Sequence, residues 1–150
     1  HGLARATGRS TARSNVMLKY MLDTNIVIYT MKNKPASVRA AFKKYDGRMC
    51  ISSITYMELV YGAERSSNPE RNLTSLEGFI ARMDVLPLGV SAAGHAGQIR
   101  AELAKLGMPI GPYDQLIAGH ARSLGLVLVT NNEKEFSRVS GLRFENWVSH

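Results

Sequence analysis

Residues 126–129 read Leu-Val-Leu-Val, an unbroken apolar run that starts after Gly125 and stops at Thr130. The run shows no alternation of apolar and polar residues, which is typical of a strand covered on both faces in a parallel sheet. A helical pattern precedes this run, because apolar residues recur there every few positions. These are Leu116, Ile117, Ala121 and Leu124. The pattern ends at Gly125. The stretch therefore predicts a helix that leads into a central parallel strand.

The same alternation of helix and strand extends along the rest of the chain. Residues 20–22 are apolar and stop at Asp23, and a helical pattern follows until Pro35. Further strand patterns at residues 48–51, 85–88 and 142–144 are also separated by helical ones. Strands that alternate with helices indicate a parallel sheet. We predict an α/β fold: a single domain with a mostly parallel central sheet of about five strands flanked by helices.

Length and composition favour one domain in a reducing compartment. The chain has 150 residues, 45% of them hydrophobic, which is enough to bury one core. No apolar run approaches the roughly 18 residues that a membrane span needs, and residues 1–16 lack the apolar stretch of a secretion signal. The single cysteine, Cys50, rules out an internal disulfide framework. We therefore expect a cytoplasmic protein with no membrane partner.

Residues 1–16 differ in composition from the rest of the chain. They are rich in Ala, Arg, Ser, Thr and Gly and have no periodicity, whereas Met17 begins a strand-like run. We predict that residues 1–16 are a disordered extension derived from an expression tail, and that residues 17–150 form the domain. Taking the three arginines of this extension from the net charge of +7 leaves +4. A surplus of this size permits binding of nucleic acid without requiring it.

Four acidic residues stand where a predicted strand or loop turns into a helix: Asp23, Glu58, Asp114 and Glu135. Ligands of parallel sheets bind outside the carboxyl ends of the strands, so residues at these junctions can share one cleft. Hard cations such as Mg²⁺ and Mn²⁺ prefer oxygen ligands and neutralise a phosphate during hydrolysis. The pattern indicates metal-assisted hydrolysis of a phosphodiester.

Each acid also has a purely structural interpretation. Asp23 could cap a helix, Glu58 could close a capping box that starts at Thr55, and Asp114 could complement a helix dipole. Helix caps have no reason to lie at the same end of the sheet, however. Since all of these acids are predicted there, a site that they form together is favoured. A phosphotransfer or receiver domain is disfavoured, because the phrase Asp23-Thr-Asn25 lacks a second aspartate two places on.

The phrases around these acids resemble those of the PIN-domain ribonucleases and, within them, the VapC toxins of bacterial toxin-antitoxin pairs. The resemblance extends from Met17 to about Trp147 and keeps the order and spacing of four motifs. These are Met-Leu-Asp23-Thr-Asn, Ile-Thr-Tyr-Met-Glu58-Leu, Gly-Pro-Tyr-Asp114-Gln-Leu-Ile-Ala and Thr130-Asn-Asn-Glu-Lys-Glu135-Phe.

The resemblance implies a metal-dependent endoribonuclease in which Asp23, Glu58 and Asp114 bind Mg²⁺ or Mn²⁺, with water as the nucleophile. Many relatives have a Thr-x-Asp phrase at the fourth acidic place, where this chain has Asn132. Either Asn132 or Glu135 fills that place, and we favour Glu135 as the fourth catalytic residue. Carboxylates of such sites need hydrogen bonds to hold their orientation. The residues expected to supply them are Thr24, Asn25, Thr130 and Asn132.

The resemblance also implies partners. RNA is the expected substrate, with initiator tRNA cut in its anticodon loop as the specific target, and a cognate VapB-like antitoxin and a second copy in a homodimer are the expected protein partners. The alternative is a non-cleaving PIN-type module that binds RNA or a protein. Basic side chains are candidate contacts to RNA phosphates. They include Lys43, Lys44, Arg65, Arg100 and Arg122.

Overall fold

The computed structural model describes residues 17–148, so the predicted extension at residues 1–16 lies outside the described residues. Five strands form one sheet in the order β3-β2-β1-β4-β5, and all four neighbouring pairs are parallel. This confirms the predicted α/β fold, with a sheet that is parallel throughout. The strands are β1 (Tyr20–Leu22), β2 (Met49–Ser52), β3 (Asp84–Leu86), β4 (Val127–Val129) and β5 (Phe144–Glu145).

Seven helices alternate with these strands in the described part of the chain. Asn68 caps one of them and Pro69 takes its first position, where a proline's missing N–H costs no hydrogen bond. Another begins at Val90, with Gly89 as its N-cap. The helices are α1 (Thr24–Asn33), α2 (Ala36–Lys44), α3 (Ser53–Glu64), α4 (Pro69–Ile80), α5 (Val90–Lys105), α6 (Pro112–Leu124) and α7 (Glu133–Phe136).

The sheet is covered on both faces, because alternate residues of its central strands belong to two separate core clusters. Met21, Cys50 and Leu128 are buried on one face with residues of α5 and α6. On the other face, Leu22 and its neighbours in β2 and β4 are buried with residues of α1, α3 and α4. Parallel register places Leu22 beside both Ile51 and Val129. The carboxyl ends of β1, β2 and β4 therefore lie side by side at one end of the strands, which we call the carboxyl edge of the sheet.

Helices α5 and α6 approach closely at Gly119. A Cβ atom at this position would lie 2.6 Å from the backbone nitrogen of Ala96. The Arg122 guanidinium then ties α6 to its surroundings, with Nε donating to His95 Nδ1 at 3.0 Å and another nitrogen donating to the Ser140 carbonyl at 2.8 Å. Arg122, which the sequence suggests as a phosphate contact, is thus already hydrogen-bonded within the fold.

Aromatic side chains pack against one face of the sheet where β1 begins. The Trp147 indole stacks on the Tyr45 ring at a centroid distance of 5.4 Å and meets the Tyr20 ring edge-on at 4.9 Å. These contacts hold the last described residues against β1 and the end of α2. Among residues 17–148, no helix has the length and apolar character needed to cross a membrane.

Candidate active site

Asp23 lies directly after the central strand β1 and is completely buried. Its backbone N–H donates to the Val129 carbonyl at 3.0 Å, which continues the sheet by one residue. Its Oδ1 accepts a hydrogen bond from the Ile26 N–H at 2.8 Å, and its Oδ2 accepts one from the Thr130 hydroxyl at 2.6 Å. Asp23 is therefore the N-cap of α1 and a carboxylate at the sheet edge at the same time.

Glu58 reaches the same edge from α3 and is bound by Thr24. The Thr24 hydroxyl donates to Glu58 Oε1 at 2.6 Å and lies 3.2 Å from the Thr55 hydroxyl. The alternative of a capping box between Thr55 and Glu58 is wrong, because α3 already begins at Ser53 and Ser52 is its cap. Glu58 stands in the second turn of the helix, with its side chain directed towards the residue that follows Asp23.

Asp114 and Glu135 approach the edge on either side of Gly111. Asp114 lies in the first turn of α6, and a side chain at position 111 would contact its Oδ2 at 3.4 Å. Glu135 lies in α7, and its Oε1 accepts a hydrogen bond from the Gly111 N–H at 3.4 Å. Both carboxylates are partly buried. Within residues 17–148, the Asp114 carboxylate accepts no hydrogen bond, which leaves its oxygens available to a ligand.

Asn132 connects two of these acids. Its backbone N–H donates to the Thr130 hydroxyl at 2.9 Å, the same hydroxyl that donates to Asp23. Its side-chain amide donates to the second carboxylate oxygen of Glu135. In this arrangement Asn132 orients Glu135 through a hydrogen bond, while Asn25 is exposed and bonds to none of the four acids.

Electrostatics link the four acids, which we call the acidic cluster. Burial raises the pKa of Asp23 to about 7, and the Asp114 and Glu58 carboxylates raise it further against the opposing effect of the Thr130 and Ile26 hydrogen bonds. Burial also raises the pKa of Asp114 to about 6, with Glu135 and Glu58 as additional causes. The pKa values of Asp23 and Asp114 thus respond to carboxylates from separate elements of the fold, which the structure brings close together.

The acidic cluster fits a hydrated divalent cation. In the described part of the chain, no three His, Cys, Asp or Glu side chains are arranged to hold a metal ion directly. Mg²⁺ keeps several waters and commonly takes only one or two carboxylates from the protein. Asp114, with no competing hydrogen bond, is suited to direct coordination, while both oxygens of Asp23 already accept hydrogen bonds.

A buried hydrogen-bonded pair, His120 and Ser52, connects two of the helices that carry the acids, and the sequence does not indicate it. His120 Nδ1 lies 2.8 Å from the Ser52 hydroxyl, and burial lowers the pKa of His120. Ser52 is the last residue of β2 and caps α3, whereas His120 belongs to α6. The hydrogen bond thus joins the helix that holds Glu58 to the helix that holds Asp114. Only the fold brings these two residues together, since 68 positions separate them in sequence.

Comparisons with known proteins identify the family. Residues 20–142 match the PIN domain. A protein of Shigella flexneri named tRNA(fMet)-specific endonuclease VapC is 66% identical over 131 residues, which cover 87% of this chain and 99% of the relative. A protein of Haemophilus influenzae named Ribonuclease VapC2 is 54% identical over 132 residues, which cover 88% of this chain and all of the relative.

A solved structure agrees with these relatives. The crystal structure of DNA-bound VapBC from Salmonella typhimurium contains a chain that is 62% identical to this one, with a TM-score of 0.85. The match covers 87% of this chain and 99% of that chain. The fold, the four motifs at the carboxyl edge and these similarities lead to one conclusion: the chain belongs to the PIN domain family and, within it, to the VapC ribonucleases.

Proposed function

We propose that the acidic cluster is the active site of this ribonuclease and that Asp23, Glu58 and Asp114 hold a divalent cation, Mg²⁺ or Mn²⁺. The observation that carries the proposal is that the four acids converge at the carboxyl ends of the parallel strands, where Thr130 orients Asp23, Thr24 orients Glu58 and Glu135 meets Gly111 beside Asp114. The neighbouring carboxylates add to burial in raising the pKa of Asp23 and of Asp114. Several carboxylates that repel one another at the ligand-binding edge of a parallel sheet are stabilised by a cation between them.

A divalent cation in such a site neutralises the scissile phosphate and makes water a stronger nucleophile. The residues of the chain supply the orientation. Thr130 and the Ile26 N–H hold the Asp23 carboxylate, and Thr24 holds Glu58. Asn132 directs Glu135 towards Gly111, beside Asp114. Glu135 is therefore our candidate for the fourth catalytic carboxylate, and Asn132 is the residue that positions it.

The substrate that we propose is initiator tRNA, cut in the anticodon loop, and the relative from Shigella flexneri named for tRNA(fMet) supports this choice. We further propose that a VapB-like antitoxin inhibits the protein and that two copies form a homodimer. The similar chain in the VapBC structure from Salmonella typhimurium supports the antitoxin.

The test is cleavage of purified tRNA(fMet), with elongator tRNA(Met) as the comparison, in Mg²⁺ or Mn²⁺ and then in chelator. We expect cleavage only with the cation, and mapped ends inside the anticodon loop of tRNA(fMet). Asp23→Asn and Asp114→Asn should each lower the cleavage rate by more than about 100-fold, because even residues that only orient a ligand have effects approaching that size.

Glu102→Gln is the matched control, since Glu102 is an exposed acid on α5 outside the cluster. It should cleave at the rate of the unmodified protein. Full activity of folded Asp114→Asn would contradict the assignment of the site. Metal-independent binding of tRNA without any cleavage would instead favour the non-cleaving module.

A further inference from the structure

The hydrogen-bonded pair of Ser52 and His120 lies at the level of Asp23 in the sheet. Parallel register pairs Leu22 of β1 with Ile51 of β2, so the next residue of each chain segment, Asp23 or Ser52, lies beside the other at the carboxyl edge. Neighbouring strands are about 4.8 Å apart. Ser52 and His120 are both buried, with His120 Nδ1 2.8 Å from the Ser52 hydroxyl. The pair is therefore next to the acidic cluster, although neither residue is one of its acids.

Ser52 fixes the start of the helix that carries Glu58. Its hydroxyl accepts a hydrogen bond from the Ile54 N–H at 3.1 Å, which makes Ser52 the N-cap of α3. Glu58 stands in the second turn of that helix, where its carboxylate accepts a hydrogen bond from the Thr24 hydroxyl at 2.6 Å. Rigid secondary-structure elements transmit displacements. A shift of Ser52 would therefore move the beginning of α3 and, with it, the backbone of Glu58.

His120 stands on the helix that carries Asp114, within about two turns of it. No hydrogen bond from the described part of the chain orients the Asp114 carboxylate, so its place depends on where α6 lies. One constraint on α6 is the close approach of Gly119 to Ala96 of α5. The other is His120, whose side chain ties α6 to the end of β2 and the start of α3.

A purely structural interpretation is that two buried polar groups satisfy each other. That role would need no particular place in the fold, whereas this pair joins two elements whose acids have to converge. A hydroxyl that accepts from the Ile54 N–H keeps its own proton for a second partner, so one oxygen of Ser52 serves both the helix cap and the link. A hydrogen bond also fixes distance and direction more narrowly than an apolar contact does.

We propose that the hydrogen bond between Ser52 and His120 sets the separation of Glu58 and Asp114 at which the acidic cluster captures its divalent cation. Ser52 and His120 are positioning residues, because they act through α3 and α6 and touch neither the cation nor RNA. This assignment rests on the proposed function, since it requires a cation between these acids.

The test measures Mn²⁺ binding to the purified protein by electron paramagnetic resonance of the free ion, a readout that needs neither RNA nor cleavage. His120→Leu removes the hydrogen bond and keeps a side chain of similar size, whereas His120→Asn keeps a polar atom near the place of Nδ1. Ile99→Val is the control for lost stability, since Ile99 is a buried core residue of α5 outside the pair. Cleavage of tRNA(fMet) over a range of Mn²⁺ concentrations gives kcat and KM.

We expect His120→Leu to raise the Kd of Mn²⁺ about tenfold, at the lower end of the effects of residues that orient metal ligands. It should lower kcat at subsaturating Mn²⁺ and leave KM for RNA unchanged. His120→Asn should recover most of the affinity. Ile99→Val should bind Mn²⁺ like the unmodified protein although it unfolds at a lower temperature.

A second pair of variants covers the case in which His120→Leu does not fold. Ser52→Ala removes the other partner, whereas Ser52→Thr keeps a hydroxyl for both the cap and the link. Ser52→Ala should weaken Mn²⁺ binding, and Ser52→Thr should restore it.

The outcomes separate this assignment from the proposed function. If the unmodified protein binds Mn²⁺ and cleaves tRNA while folded His120→Leu binds Mn²⁺ with the same Kd, our proposal is overturned and the ribonuclease site stands. An equal loss of affinity in His120→Leu and Ile99→Val would also overturn it, because a general loosening of the core would then explain both. An unmodified protein that neither binds Mn²⁺ nor cleaves tRNA would overturn the proposed function and this assignment with it.

Discussion

At the level of single residues, Asp23 fulfils two roles that its sequence presents as alternatives. The phrase Asp23-Thr-Asn at a strand end is typical of a helix cap, and the Ile26 N–H hydrogen bond shows that Asp23 is one. The second carboxylate oxygen faces Thr130, which only the parallel pairing of β1 and β4 brings within reach. A sequence can therefore indicate the acid and its cap. The partner 107 positions away follows from the fold.

The raised pKa of Asp23 predicts how pH affects the stability of the cation-free protein. Its ordinary value is 3.8 and its folded value about 7, so between these values the folded state keeps a proton that the unfolded chain has released. The free energy of unfolding should therefore fall as pH rises through this window, by up to about 4 kcal/mol from this group. Asp23→Asn should remove this contribution, because an amide does not titrate.

Urea unfolding of both proteins in chelator, at a series of pH values from 4 to 8, measures this difference. The two curves should diverge as the pH rises, with the variant more stable at pH 8 than the unmodified protein. Glu102→Gln should follow the unmodified protein throughout. Parallel curves for Asp23→Asn and the unmodified protein would contradict the prediction, because they would show that ionising Asp23 does not lower the free energy of unfolding.

At the level of helices and strands, the sequence locates elements better than it locates their first residues. Ser52, Ser53 and Thr55 can all cap a helix, and the structure uses Ser52 because its hydroxyl accepts from the Ile54 N–H at 3.1 Å. That choice moves Glu58 into the second turn. Likewise, of the five basic residues named as examples of phosphate contacts from sequence, Lys43 alone lines the hollow between α2 and the turn after α4. Arg82 reaches the same hollow from the other side, and no spacing in the sequence reveals this.

The contact between α5 and α6 predicts a strong effect of a single methyl group. Gly119→Ala would place Cβ 2.6 Å from the Ala96 backbone nitrogen. The clash cannot be relieved by rotating a side chain, because it involves the backbone of the neighbouring helix. We expect a loss of about 1–3 kcal/mol in the free energy of unfolding, as for other overpacked cores. Urea unfolding followed by circular dichroism measures the loss. Because α6 holds Asp114, the ribonuclease activity should fall as well.

Gly94→Ala is the matched control for this substitution. Gly94 lies within α5 and has open space where a Cβ would be added. Alanine is a better helix former than glycine, so this variant should gain about 0.5–1 kcal/mol. Equal stability of the two variants would mean that α5 and α6 can separate at little cost.

At the level of the whole molecule, cation binding and folding should be linked. A cation that binds only the folded protein adds about 2.7 kcal/mol to the free energy of unfolding at 100 times its Kd. Since protons compete with the cation for Asp23 and Asp114, the stabilisation by Mg²⁺ or Mn²⁺ should be large at pH 8 and small at pH 5. Thermal unfolding with and without the cation at both pH values measures it.

Two variants decide whether this stabilisation comes from the acidic cluster. Asp114→Asn should lose most of it, whereas Glu102→Gln should retain it fully. The same stabilisation in both would place the cation elsewhere on the molecule.

The aromatic contacts of Trp147 have a practical consequence. Trp147 is the only tryptophan of the chain, and its ring is packed against Tyr20 and Tyr45. Its intrinsic fluorescence therefore reports, without an added label, on how the residues after β5 pack against β1 and the end of α2. A ligand that changes stability but not the native emission spectrum would leave this packing unchanged, while a shifted spectrum would reveal that the residues after β5 rearrange.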